Sequence, residues 1–362
     1  MPAPLTIHSR DNLLRWPRVP VPNEAPVLIL MNQFQRTQNL SAEDLHVRQF
    51  AQLTALLSHC LKTVPYYQAH LATDMPGIGT GTKLTAELWA RIPVLSRADV
   101  LAHGAELEST APPKSHGAIH TVRTPGITGD PVTLKAANVS SLHDHANMVR
   151  NGVWHGYDPE YSVANIVRMN SAQLEQADAD VFNSWMTGWV SGPVKYFDVA
   201  VPPQSQLEWL VENQSQLLVT HPSNLRQLAY FSKRDGAPLP HLRAIQTTGE
   251  PLTNNTRLIA QDVFGLPIQD VYGTQEAGIL ALQCPKQEHD HYHIMTESAY
   301  VEILNDDDEA CKPGEIGRIV VTPLHNFITP LLRYTLDDFA EVGEPCTCGR
   351  GLPTLKRILG RS

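Results

Sequence analysis

Hydrophobic and polar positions change their period along the chain, and each change predicts a different element. Residues 41–71 read SAEDLHVRQFAQLTALLSHCLKTVPYYQAHL and set Leu45, Phe50, Leu53, Leu56, Leu57 and Leu61 at roughly helical spacing. Ser41 precedes Glu43 and Asp44, as at a helix start, so the pattern predicts an amphipathic helix ended near Pro65. Residues 92–107 predict a second helix that begins after Ser96. From 117 to 275, short β-rich runs alternate with helix-like stretches. Strands are predicted over 119–122, 132–135, 216–220, 242–246 and 268–272, and helices over 204–215, 222–234 and 252–264. Such alternation predicts an α/β fold, with helix-covered, mostly parallel β-sheets in two subdomains. From 291 onward, strand-like runs joined by Gly, Pro and Asp turns predict a small C-terminal antiparallel β unit. The expected divisions are an N-terminal helical segment over 1–110, an α/β core over 111–283, the β unit over 284–356 and a hinge starting over 357–362.

Composition narrows the function. A chain of 362 residues, 42% of them hydrophobic, can bury a substantial core. Its formal net charge of -9, with no Lys/Arg block, argues against nucleic acid or an anionic membrane as partners. The opening MPAPLTIHSRDNLLRW lacks a charged start followed by an apolar run, so no secretory signal is expected. The longest apolar stretches, such as Val27 to Met31, are too short to span a bilayer. A cytoplasmic location is the expectation. Five cysteines, an odd and sparse count, do not suggest a disulfide framework.

Several segments have the make-up of ligand loops. Residues 121–135, TVRTPGITGDPVTLK, carry a Gly/Thr loop over Thr124, Gly126, Thr128 and Gly129 between two strands. Glycines let such a loop turn its N–H groups on a phosphate, and Thr hydroxyls add donors. Taken alone it equally fits a plain turn. IQTTGEPL at 245–252 and IQDVYGTQEAG at 268–278 each end a strand in small or polar residues. Ligands of parallel sheets sit at the carboxyl ends of strands. Tyr272 can stack on a base there, and Glu276 can hold Mg²⁺ bridging phosphates; the alternatives are a core tyrosine and a solvated acid. Asp338, in PLLRYTLDD, can accept bonds from two ribose hydroxyls or serve as a turn carboxylate. The aromatics Tyr157 and Trp185 fit either a flat slot for an aryl acid or a core. Thr220-His221-Pro222-Ser223-Asn224 opens a helix whose N–H groups can receive a carboxylate.

The order and spacing of these segments, with Arg-Ile-Leu-Gly-Arg at 357–361, resemble the adenylate-forming enzymes, and most of all the phenylacetate–CoA ligase family. VPYYQAHL and IPVLSRADV resemble that family's opening helices, so the likeness covers residues 45–362. The resemblance implies ATP-dependent conversion of a small, aryl carboxylic acid to acyl-AMP, then thioester formation with coenzyme A. It places Thr124, Gly126, Thr128 and Gly129 over the ATP phosphates. It places Gly249, Glu250, Pro251, Asp270, Val271, Tyr272, Gly273 and Thr274 around the nucleotide, with Arg357 after them. Asp338 would hold the ribose. Glu276 (through magnesium), Thr128 and Arg333 would be catalytic. Tyr157, Trp185, Pro222, Ser223 and Thr248 would border the acid. Two departures stand out. Pro125, Ile127 and Asp130 replace the hydroxyl and lysine donors usual in the phosphate loop, which weakens ATP binding. The resemblance also implies a further small domain with a catalytic lysine beyond Ser362, so slow adenylation and little thioester are expected of this stretch.

The same resemblance carries a metal set. Cys346-Thr347-Cys348-Gly349-Arg350 forms a tight knuckle, and Cys284 precedes His291 and His293. Cys284, His293, Cys346 and Cys348, with His291 as the alternative imidazole, would close a structural zinc site. Cys60 is expected in the core and Cys311 in a turn. Three other readings remain: a non-catalytic nucleotide- or acyl-binding relative, a zinc-knuckle module, and adenylation with an amine or carrier-protein thiol as acceptor. Partners left open are a carrier protein or acceptor enzyme and a second copy in a homodimer.

Overall fold

The structure is a computed structural model that describes residues 6–361, apart from 12, 15, 76, 125–130, 170–183 and 287–290. The chain folds as two compact units: residues 1–31 with 148–272, and residues 32–147 with 273–362.

The first unit is built on parallel strands. β3 (Val163–Val167) lies between β4 (Val194–Asp198) and β5 (Leu217–Thr220), followed by β6 (Ala244–Thr248) and β7 (Ile268–Thr274). The crossovers are α7 (Pro203–Asn213), α8 (Pro222–Asp235) and α9 (Asn254–Phe264). Every residue of β5 is buried, as expected where both faces of a parallel sheet are covered. Successive side chains serve opposite faces. Ala164, Ile166, Leu218 and Ile245 pack with Leu207, Leu210, Leu225, Leu228 and Ala260 of the helices. Val163, Leu217, Val219 and Ala244 pack on the other side with Tyr157, Trp185 and Tyr196. α8 and α9 end at Gly236 and Gly265, both left-handed, the usual place for a glycine C-cap.

The second unit is helical at its start and antiparallel at its end. α2 (Ala42–Thr63) is capped by Ser41, whose hydroxyl accepts the Asp44 N–H, and buries Leu45, Phe50, Leu53, Leu56, Leu57 and Cys60. Pro65 then opens a separate helix, α3 (Pro65–Asp74), where a proline at N1 costs no hydrogen bond. The helix expected after Ser96 is shorter than predicted, α5 (Arg97–His103), with Ser96 and Asp99 forming a capping box. Before it lies α4 (Ala86–Ala90). The runs expected at 119–122 and 132–135 form β1 (Ile119–Arg123) and β2 (Thr133–Ala137). They pair with each other antiparallel and do not join a parallel sheet. The antiparallel strands start earlier than expected, at β8 (Gly278–Gln283). They continue through β9 (Tyr292–Ile294), β13 (Thr354–Arg361), β12 (Tyr334–Val342), β11 (Ile316–Pro323) and β10 (Ala299–Leu304) in that spatial order. Several elements were not read from the sequence, among them α1 (Ala25–Thr37), α4, α6 (Asn138–His155), β3 and β4. Among the described residues, no helix is long and apolar enough to cross a membrane.

Candidate functional site

In the first unit, the ends of β6 and β7 gather one group of expected residues. Gly249 follows β6 with φ +82°, and a Cβ there would lie 2.9 Å from His221 Nδ1. Glycine is therefore required on two counts, backbone and space. His221 Nδ1 bonds the Thr248 carbonyl at 2.8 Å. Glu250 turns back on the start of α8, where its Oε2 accepts the Ser223 N–H at 2.9 Å. The carboxylate expected at this helix N-terminus is thus supplied by the chain itself, a favourable charge at the positive end of the helix. Pro222 sits at N1, where its missing N–H is not needed. On β7, Asp270 is buried and accepts a hydrogen bond from Thr247 Oγ1. Val271 is buried beside it, and Tyr272 is half-buried.

Tyr157 is buried and Trp185 half-buried. Both pack in the core against β3, β4 and β5. The Tyr157 hydroxyl donates to Gln269 Oε1 at 3.1 Å, and Trp185 Nε1 donates to the Pro159 carbonyl at 3.1 Å. Burial raises the Tyr157 phenol far above its ordinary range.

In the second unit, a separate cluster surrounds Glu276. Gly273, near the end of β7, lies where a Cβ would meet the Gly278 carbonyl at 2.7 Å. Thr274 Oγ1 accepts the Ala277 N–H, and Asp144 Oδ1 of α6 accepts the Ile279 N–H at 2.9 Å. The Glu276 side chain is only 8% exposed, and Arg97 NH1, at the first position of α5, stands 3.8 Å from its carboxylate. Tyr334 is buried nearby and is pushed up to about 12, by burial first and then by the Glu276 charge. Arg97 opposes that shift, and the two share a side-chain hydrogen bond. Arg97 was not singled out in the sequence. Its only signal there is a capped helix start, which fits any small helix.

Arg333 and Arg357 both pair with carboxylates of the chain. Arg333 is 2% exposed, with φ +51°. Its NH1 donates to the Ala90 and Ile92 carbonyls, and its NH2 pairs with Glu302 at 3.2 Å. A guanidinium used this way ties the segment after α4 to β12 and β10. Arg357 pairs with Glu341 at 2.7 Å on the neighbouring strand, where Lys356 also reaches the same carboxylate. Asp338 lies half-buried on β12, opposite Arg361 in register. Thr124 closes the β1–β2 hairpin: its N–H donates to the Val132 carbonyl, and its Oγ1 accepts the Val132 N–H. Gly126, Thr128 and Gly129, with Pro125, Ile127 and Asp130, lie outside the described residues.

The metal set assembles within the second unit. One donor atom from each of Cys284, His293, Cys346 and Cys348 lies within 4.8 Å of the others. Cys284 Sγ is 3.8 Å from Cys346 Sγ, and Cys348 Sγ is 3.3 Å from His293 Nε2. A tetrahedral zinc, bonded at about 2.3 Å to sulfur and about 2.0 Å to nitrogen, would set such atoms about 3.8 Å and 3.5 Å apart. The donor chemistry and spacing fit that ion. Gly349 (φ +92°) lets the knuckle turn, and the Arg350 N–H and guanidinium point at Cys348 Sγ. Burial would raise the Cys348 thiol, but these Arg350 donors outweigh it and hold the thiol below its ordinary value. His291 is not in the set. Its carbonyl accepts the Cys284 N–H at 2.7 Å and so positions that ligand.

Residues 141–327, just over half of the chain, match the family model described as AMP-binding enzyme. The chain belongs to the AMP-binding enzyme family. Two curated relatives, both from Bacillus subtilis (strain 168), are the uncharacterized acyl–CoA ligases YtcI and YhfT. YtcI is 30% identical over 33% of this chain, and YhfT 28% over 39%. The matched stretches span only 23% and 31% of those relatives' own lengths. Among solved structures, an open conformation of 2-hydroxyisobutyryl-CoA ligase, in complex with 2-HIB-AMP and CoA, superposes with TM-score 0.74. It shares 17% identity and covers 90% of this chain and 77% of its own. The same ligase in its thioesterification state gives TM-score 0.74 at 18% identity, over 90% of this chain and 70% of that one. At such identities the likeness establishes the fold: this AMP-binding enzyme has the α/β architecture of that ligase's large region.

Proposed function

We propose that this AMP-binding enzyme activates a small carboxylic acid with ATP. The observation that carries the proposal is the family match over 141–327, which contains both the turn at Gly249 and the Glu276 loop. In the reaction an acid oxygen attacks the α-phosphorus, a new O–P bond forms, the α–β phosphoanhydride breaks, and pyrophosphate leaves. Both reactants are anionic, so alignment and charge neutralisation provide the rate enhancement. Gly249, Glu250 and Pro251, with Asp270 and Tyr272, are assigned to the adenine, and Asp338 to the ribose hydroxyls. A lone carboxylate plus substrate phosphates is a usual Mg²⁺ arrangement, and Glu276 is the residue assigned to hold it. That ion would supply positive charge against the polyphosphate.

Thioester formation with coenzyme A is assigned as the second half-reaction, as the names of the curated relatives suggest. Tyr157 and Trp185, being core, give no reason to restrict the acid to aryl compounds. Zinc is assigned to Cys284, His293, Cys346 and Cys348, where four protein donors leave no open position and make the site structural. The test is incubation with ATP, Mg²⁺ and a panel of short aliphatic, hydroxy and aryl acids, with mass spectrometry for acyl-AMP. An acid-dependent adenylate is expected. ATP binding with no adenylate from any acid favours the non-catalytic reading.

A further inference from the structure

The geometry points to Arg97 as a positioning residue that makes Glu276 accept a divalent cation together with a polyphosphate, and reject the bare ion. This inference rests on the assignment of Glu276 to the metal. The Arg97–Glu276 pair is mostly buried, with side chains 18% and 8% exposed. It is also long for an ion pair, at 3.8 Å. The guanidinium is held in place from its other side. Arg97 bonds Tyr334, and the residues just before it are fixed to β12: the Leu95 N–H donates to the Arg333 carbonyl, and the Thr335 N–H donates to the Leu95 carbonyl. Arg97 therefore stands next to the carboxylate without closing on it.

Two consequences follow from charge alone. A cation arriving at Glu276 meets a fixed positive neighbour, and burial limits how far solvent screens that repulsion. A polyphosphate arriving with the cation reverses the balance, because its negative charge faces both cations. Arg97 thus couples metal binding to nucleotide binding. Such coupling keeps free Mg²⁺ from filling the site before the substrate does, and by reciprocity each ligand raises the affinity for the other.

Mn²⁺ binding followed by electron paramagnetic resonance tests this, with Mn²⁺ alone and with Mn²⁺ plus ATP in the absence of acid. The wild-type chain is expected to hold bare Mn²⁺ weakly and Mn²⁺ with ATP tightly. Arg97→Gln should tighten bare Mn²⁺ by about tenfold and shrink the gain from ATP. Arg97→Lys, which keeps the charge, should behave as the wild type. Arg97→Met, which preserves the packing of the stem, serves as a second neutral variant should Arg97→Gln unfold. Bare Mn²⁺ binding that is unchanged or weaker in the folded neutral variant overturns the inference. The reading beneath it fails differently: Glu276→Gln would then leave Mn²⁺–ATP binding unaltered.

Discussion

Two residues show how single positions set the chemistry around the site. Gly249 combines a left-handed backbone with a Cβ direction blocked by His221. Gly249→Ala should cost about 1–3 kcal/mol of stability in urea unfolding and weaken ATP binding in a direct titration. An unchanged midpoint and affinity would show that the turn relaxes freely. Asp144 is a buried carboxyl pushed up to about 6, by burial first, while the Ile279 N–H pulls the other way. A carboxyl raised in the folded state contributes stability below its unfolded value of about 4, and that contribution is lost as pH rises through about 6. Asp144→Asn keeps an acceptor for Ile279 and removes the charge. It should raise the stability at pH 8 by about 1–3 kcal/mol and give little at pH 4, as read from thermal unfolding at both values.

At the scale of elements, the sequence was legible where a local signal decides the structure. Ser41, Ser96 and Thr253 each accept a hydrogen bond from the N–H three residues on, as cap chemistry requires. α6 was not legible, because its buried positions include His143, Asn147, Arg150 and Asn151. A helix that buries polar groups shows no apolar stripe. The paired use of β1 and β2 was also hidden: a strand pattern gives no partner or direction. Two element-scale predictions follow from what packs there. The His143 and His325 rings stack with centroids 3.6 Å apart, and burial holds His325 down at about 3, with His143 beside it adding to the effect. His143, His116 and His59 are lowered by burial as well. Groups depressed in this way contribute stability above about pH 6.5, and it is lost as pH falls toward their folded values. Melting temperature should therefore drop from pH 7 to pH 5, and His325→Phe should flatten that drop while costing about 1–2 kcal/mol at pH 8. The knuckle yields the other prediction. Metal analysis should find one zinc per chain, and a chelator or Cys348→Ser should lower the melting temperature by about 5 °C or more. A metal-free chain of unchanged melting temperature would remove zinc from the account.

For the molecule as a whole, the order of motifs was more informative than any one of them. Gly249, Asp270, Tyr272, Glu276 and Asp338 were picked out by spacing, and the first four fall within the stretch that matches the family. Side-chain environment was not readable at that level. Arg333 reads as a charged residue in a strand, yet its guanidinium bonds Ala90, Ile92 and Glu302 inside the fold. Tyr157 and Trp185 fit a slot or a core from the sequence, and they pack with the core beside β3, β4 and β5. The difference is physical: spacing places a residue near the end of an element, but only packing decides whether its polar atoms face a ligand or another part of the chain. Arg97 is the reverse case, silent in the sequence and placed against Glu276 by the fold.

Activation of an acid by this chain means reversible formation of the acyl-adenylate. ATP–pyrophosphate exchange measures that step directly, run across an acid panel with the wild type and Glu276→Gln. Exchange that depends on an acid and falls by about a hundredfold or more in Glu276→Gln is the predicted result. Acid-independent exchange, or exchange unaffected by Glu276→Gln, would contradict it.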